Sequence, residues 1–100
     1  MPQTLQTNPD LVLLELLRVA RKQSGITQNE LAERTGMRQA DISKTERGVR
    51  RLDIVELHGW LSAMGVSFVA FATVLDERLT ALALVRAHAA QRAQWRKKER

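Results

Sequence analysis

Residues 27 to 48, TQNELAERTGMRQADISKTERG, are punctuated so closely that two short helices and a tight turn are what they can form. Thr27 with Glu30 three positions on is a capping box, in which each residue's side chain satisfies the other's free backbone N–H. Leu31 and Ala32 point inward. Gly36 ends the first helix in a conformation other residues resist. A second helix is expected over about Arg38 to Arg47, anchored by Met37 and Ile42, polar on its outer face and stopped at Gly48.

The rest of the chain is built in the same way. Asn8-Pro9-Asp10 is a helix start: Asn caps, Pro takes the first helical position, and Asp faces the positive end of the dipole. This helix is expected to run to about Gln23, closed by Gly25 with Ile26 folding back onto it. Leu11, Val12, Leu13, Leu14, Leu16 and Leu17 leave its first half almost no polar face. A second covering surface is required there, from the C-terminal helix or another subunit. After a basic loop, Val49 to Leu52, Asp53 and Glu56 form another capping pair. Ile54, Leu57, Leu61 and Met64 are the expected buried stripe of that helix, and Gly65-Val66 close it. His58 beside the stripe reads as a satisfied, half-buried histidine, Gly59 as a point of close helix packing, and Trp60 as partly buried. Ser67 caps the last helix, which is expected to continue to about Arg96, on the order of 45 Å. Phe68, Ala72, Leu75, Leu79, Leu82, Arg86, Ala89 and Ala93 alternate steps of three and four along it, a coiled-coil-like seam that weakens after Leu82.

Composition narrows the class. With 44% hydrophobic residues but 4% aromatic, the core is built from Leu, Val, Ile, Met and Ala, which favours helices. The absence of cysteine excludes disulfides, thiol nucleophiles and thiolate zinc sites. No signal segment and no apolar stretch near the roughly 18 residues of a membrane span is present, so no membrane association and a cytoplasmic location are expected. Ser, His and Asp occur without a nucleophile elbow or a Gly-rich phosphate loop, so the sequence points to no enzyme, no cofactor and no metal.

Charge is distributed unevenly. Residues 1 to 37 balance to zero. Arg38, Lys44, Arg47, Arg50 and Arg51 against Asp41 and Glu46 leave residues 38 to 51 at +3. Residues 52 to 85 carry −3, and the last fifteen return +5. Positive charge gathered in the second short helix and in the tail suits a polyanion binder.

The order of these signals resembles the helix-turn-helix of the lambda-repressor/Cro type, the Xre family. The resemblance covers roughly residues 10 to 66. ITQNELAERTGM matches the family's second helix and turn, Ile42 to Gly48 (ISKTERG) the end of its recognition helix, and Ala-Met-Gly-Val the end of its fourth. Thr45 departs from it, since relatives place a larger apolar residue there. The resemblance implies an all-α, five-helix, lambda-repressor-like DNA-binding domain with an extended C-terminal helix. Residues 1–7 would be a flexible arm, 8–66 the DNA-binding domain, and 67–100 the C-terminal helix and basic tail, expected to dimerise.

It also implies roles for residues at matching positions. Arg38, Gln39, Ala40, Ser43 and Lys44 would read base edges, and Thr27, Gln28, Arg47, Arg50 and Arg51 would hold phosphates. Arg21 and Glu46 would form an ion pair joining the first helix to the end of the third. Asp41 would either accept from a cytosine or cap the third helix. Leu11, Leu13, Phe68, Phe71, Leu75, Leu79 and Leu82 are the expected dimerisation residues. The partners expected are double-stranded DNA and a second copy, in a sequence-specific regulator that represses transcription. The rival expectation is an antitoxin, which binds a toxin protein and regulates its own operon.

Overall fold

The structure is a computed structural model that describes residues 8–98, with side chains described through residue 87 and at residue 90. The arm expected over residues 1–7 and the side chains of the basic tail lie outside the described residues. Five helices are present: α1 Pro9–Gln23, α2 Gln28–Thr35, α3 Gln39–Glu46, α4 Ile54–Ala63 and α5 Phe68–Lys98. No strand occurs among the described residues, and no helix there is long and apolar enough to cross a membrane.

The helices start where local chemistry satisfies their free N–H groups. Asn8 Oδ1 accepts from the Asp10 N–H at 3.0 Å, with Pro9 in the first turn. Thr27 with Glu30 and Asp53 with Glu56 close complete capping boxes, and Ser67 Oγ accepts from Ala70 N at 3.2 Å. The helix α3 differs: it begins at Gln39, and its capping residue Arg38 makes no side-chain cap. Asp41 does not supply one either; its carboxylate instead accepts from Arg38 Nε at 3.3 Å. The first N–H groups of α3 are therefore left for another acceptor.

Gly36 ends α2 at φ 76° and Gly48 follows α3 at φ 80°, both in the left-handed region that a Cβ disfavours. Gly48 is also a point of close approach, since a Cβ there would lie 3.3 Å from Leu14 Cδ1. The first half of α1 thus backs directly onto the end of α3.

Leu17, Leu31, Ile42, Trp60 and Leu61 form the centre of the core, each at most 1% exposed. Burying an aliphatic side chain this completely contributes roughly 1.5–3 kcal/mol. Trp60 is wholly buried, not partly, and its Nε1–H donates to Met37 Sδ at 3.1 Å. Ile54, expected in the buried stripe, is instead 63% exposed. The buried stripe of α4 is therefore Leu57, Trp60, Leu61 and Met64, with Ile54 beyond the core edge in the first turn. His58 is exposed, with its ring 5.7 Å from that of Phe68, and so is not the half-buried histidine expected. A Cβ on Gly59 would meet nothing within 4 Å, so close packing is not its reason and no contact explains it. Thr45 is fully buried, and its hydroxyl donates to the Asp41 carbonyl at 2.7 Å. The smaller residue leaves α3 fully packed.

The apolar surplus of α1 is covered by α5. Phe71 belongs to the core, and Phe68, Leu75 and Leu13 pack against it. The start of α5 lies along the second half of α1, where Ala70, Phe71 and Val74 face Leu16, Val19 and Ala20. Leu79 and Leu82 remain partly buried on the same stripe. Of the expected dimerisation residues, Phe71 is thus buried within the chain, and Phe68, Leu75 and Leu13 are half buried against its core, because the seam of α5 faces α1. Leu11 stays 39% exposed. Beyond Leu82, Leu84 and Val85 are 66% and 64% exposed, and the molecule spans 60 × 31 × 25 Å with α5 as its longest element.

Candidate nucleic-acid interface

The two faces of α3 are sharply different. Ile42, Thr45 and Glu46 are buried, whereas Arg38, Gln39, Ala40 and Lys44 are exposed and Ser43 is half-buried. Gln39, Ala40, Ser43 and Lys44 thus lie on one helix, toward its outer side, and Arg38 is the residue that caps it. The Arg38 side chain is 86% exposed despite its contact with Asp41.

Beneath this face lies a hydrogen-bonded junction of three helices. Arg21 on α1 donates from Nε to Glu46 Oε2 at 2.6 Å, from Nη2 to Oε1 at 3.0 Å, and from Nη1 to the Ile26 carbonyl at 3.0 Å. The expected Arg21–Glu46 pair is therefore bidentate, with side chains 11% and 4% exposed. Gln28, at the start of α2, donates from Nε2 to Glu46 Oε1 at 3.0 Å. A carboxylate only accepts, so the amide nitrogen of Gln28 must face Glu46 and its oxygen must face away. That oxygen accepts from Gln39 Nε2 at 2.9 Å. The chain Arg21–Glu46–Gln28–Gln39 thus leads from the buried pair to the exposed face and holds the Gln39 amide in one orientation. Burial pushes the Glu46 carboxyl up, but the hydrogen bonds of Arg21 and Gln28 and the charges of Arg21 and Arg18 outweigh it, leaving it below the ordinary carboxylate value.

Around the face lie groups suited to anions. The backbone N–H groups of Gln28 and Asn29 open α2 without a partner among the described residues, and helix starts favour negative charge. The Thr27 hydroxyl is occupied, accepting from Glu30 N and donating to Glu30 Oε1, both at 3.1 Å. Arg47 and Arg51 are exposed. Arg50 is held differently: Nη1 and Nη2 grip the Glu56 carboxylate at 3.3 and 2.7 Å, and Nη1 also donates to the Arg51 carbonyl at 3.0 Å. The hydrogen bond from Arg50, helped by the backbone N–H of Asp53, holds the Glu56 carboxyl below its ordinary value. Three of the five guanidinium N–H groups of Arg50 are committed, whereas the Arg51 side chain makes no such bond among the described residues.

Sequence reasoning brought Arg21 and Glu46 together through the family resemblance, but missed the Gln28–Glu46, Gln28–Gln39 and Arg50–Glu56 bonds. The last had a signal: a cation three positions before a capping Asp-x-x-Glu has that carboxylate within reach. The others join positions 11 and 18 apart and depend on the packed angle between α2 and α3. Among the described residues, no group of His, Asp and Glu is arranged to hold a metal ion.

Comparison with known proteins places this geometry among related ones. The family model described as helix-turn-helix matches residues 17–71. The HTH-type transcriptional regulator y4dJ of Sinorhizobium fredii (strain NBRC 101917 / NGR234) is 39% identical over 57 residues, 57% of this chain and 74% of that protein. An XRE-family-like protein from Pseudomonas syringae pv. tomato str. DC3000 superposes with a TM-score of 0.67 at 40% identity, covering 69% of this chain and 84% of the other. The restriction-modification controller protein C.Esp1396I superposes with a TM-score of 0.66 at 26% identity, covering 72% of this chain and 95% of its own. That controller has been solved bound to a 19 base-pair DNA duplex, and as a tetramer on its natural 35 base-pair operator.

Proposed function

This chain belongs to the Xre-type helix-turn-helix family, and from that premise we propose that it is a sequence-specific DNA-binding regulator that inserts α3 into the major groove and represses transcription as a dimer. The observation that carries the reading is the outward polar face of α3, with Gln39 fixed by Gln28 above a buried ion pair. A pre-oriented amide suits adenine. One N–H of the Gln39 amide stays with Gln28, while the other N–H and the oxygen are free for N7 and N6. Arg38 and Lys44 reach guanine O6 and N7 from either side, and Ala40 meets a thymine methyl. The N–H groups that open α2 and the cations Arg47 and Arg51 hold phosphates, fixing register without reading sequence. Arg50, committed to Glu56, shapes the loop that presents Arg51. The kinship with a regulator and with an operator-binding controller supports this reading.

An eight-residue recognition helix spans only a few base pairs, so specificity requires two half-sites about one helical turn apart and hence two copies. Selection of bound sequences from random duplexes tests the proposal. The wild type is expected to enrich a two-fold-related motif, and Gln39→Ala and Lys44→Ala to relax it at separate positions. Equal weakening on every duplex would remove these residues as base readers, and failure to enrich any motif would overturn the proposal.

A further inference from the structure

Besides Glu46, which is buried in the three-helix junction, Asp41 is the one acidic residue of α3. A carboxylate this close to a surface that meets phosphates and base acceptors weakens binding unless it serves something else. It does not cap the helix, and its one donor among the described residues is Arg38 Nε at 3.3 Å. Lys44 also stands three positions away, yet no ion pair joins it to Asp41 among those residues. The main chain holds the pair together: the Arg38 carbonyl accepts from the N–H of Asp41 at 2.9 Å and from that of Ile42 at 3.1 Å. The Asp41 carbonyl in turn accepts from the buried Thr45 hydroxyl at 2.7 Å. Asp41 is thus a fixed post, 24% exposed, beside a guanidinium on a side chain 86% exposed. An exposed pair of this kind adds little to folding. What it gives Arg38 is direction.

We propose that Asp41 is a positioning residue for base recognition, holding Arg38 by Nε so that its two Nη groups are presented together to guanine O6 and N7. The inference rests on the DNA-binding reading above and deepens it, naming the residue that orients one of its base readers. A guanidinium has two kinds of edge for a paired contact, one formed by Nε with an Nη and one by the two Nη groups. With Nε committed to the carboxylate, the edge left for a base is the Nη pair at the end of the side chain. Fixing a flexible side chain in its bound arrangement lowers the entropy cost of the contact. Enclosure in the groove removes water from the Arg38–Asp41 pair and strengthens its attraction. The cost is a negative charge near phosphates, so Asp41 exchanges general affinity for selectivity.

The full chain tests this on duplexes that differ only at the base pair Arg38 reads. Arg38→Ala identifies that pair in the random-duplex selection, as the position whose guanine preference it abolishes. A bidentate arginine–guanine contact discriminates by roughly 5- to 150-fold, and Asp41→Ala should remove about three- to tenfold of it. The same variant should bind an unrelated duplex more tightly and with a steeper salt dependence, because a negative charge has left the interface. Asp41→Asn, close in shape but uncharged, should shift both quantities in the same directions. In the Arg38→Ala background, Asp41→Ala should change nothing further at that base pair. Circular dichroism and thermal melting of each variant separate these effects from misfolding. Equal weakening on every duplex with the guanine preference intact would make Asp41 merely structural and overturn the proposal. So would the same loss of preference with and without Arg38, or relaxation at a different base pair, which would make Asp41 a direct reader. If Arg38→Ala relaxes no position while the wild type still enriches a motif, the proposal alone falls. A wild type that enriches none overturns the DNA reading with it.

Discussion

Glu46→Gln changes a single atom type at the three-helix junction, and its cost follows from the donors around it. Oε1 accepts from Arg21 Nη2 and Gln28 Nε2, both at 3.0 Å, while Oε2 accepts from Arg21 Nε at 2.6 Å. A carboxamide offers one acceptor and one donor, so either orientation turns an N–H toward another N–H. The better orientation keeps oxygen at the Oε1 position and sacrifices the Arg21 Nε bond, a charge-assisted interaction of about 1.5–3 kcal/mol. Arg21, 11% exposed, also loses its counter-charge. Removing one partner of a fully buried pair costs about 3–5 kcal/mol, an upper bound here because Arg21 Nη1 keeps the Ile26 carbonyl. A loss of about 2–4 kcal/mol is expected, and at about 4–8 °C per kcal/mol for a domain of this size the Tm should fall by about 8–32 °C. Urea melts read the same quantity as a lower midpoint at unchanged slope. The companion variant, Arg21→Leu with Glu46→Leu, removes both charges and should recover much of the stability. It should not recover discrimination at the base pair read by Gln39, since Gln28 has lost its acceptor. A loss below about 1 kcal/mol for Glu46→Gln would mean that the pair behaves as an exposed one, and the reasoning would fail.

Acid should act on the same junction. A carboxyl held below its ordinary value of 4.5 contributes stability above that value and loses the contribution as pH falls through its folded value. Wild-type stability in urea should therefore decline below pH 4.5, and the Glu46→Gln variant should decline less. Gly36→Ala should cost about 1–2 kcal/mol for its left-handed backbone alone. Gly48→Ala should cost about 1 kcal/mol more, because the added carbon crowds Leu14; equal thermal shifts for the two would exclude the packing contribution. Arg51→Ala should weaken binding on all duplexes alike and reduce the salt slope by about one ion per subunit. Arg50→Ala should chiefly lower the melting temperature by freeing the Glu56 carboxylate, and a salt-slope change as large as that of Arg51→Ala would make Arg50 a phosphate clamp.

Much of this fold could be read before any coordinates because its punctuation is local. The Thr27–Glu30 and Asp53–Glu56 boxes close within one turn of chain, and the left-handed glycines after α2 and α3 need nothing distant to end a helix. Spacing also placed Leu31, Ile42 and Leu57 inside, since a helix repeats every 3.6 residues wherever it sits. The position of a helix on the core, and the angle at which it meets its neighbours, are not local properties. Periodicity found the apolar seam of α5 but not its occupant, which proved to be α1. It admitted Ile54 to the stripe of α4, whereas packing left Ile54 outside and set Trp60 at the centre. The same holds for the polar face. The sequence alone determined that Arg38, Gln39 and Lys44 share one side of a short helix. Only the tertiary arrangement decided that Gln28 bridges Glu46 to Gln39. Such bonds form between side chains whose separation is set by how whole helices pack, and that packing is a property of the entire core.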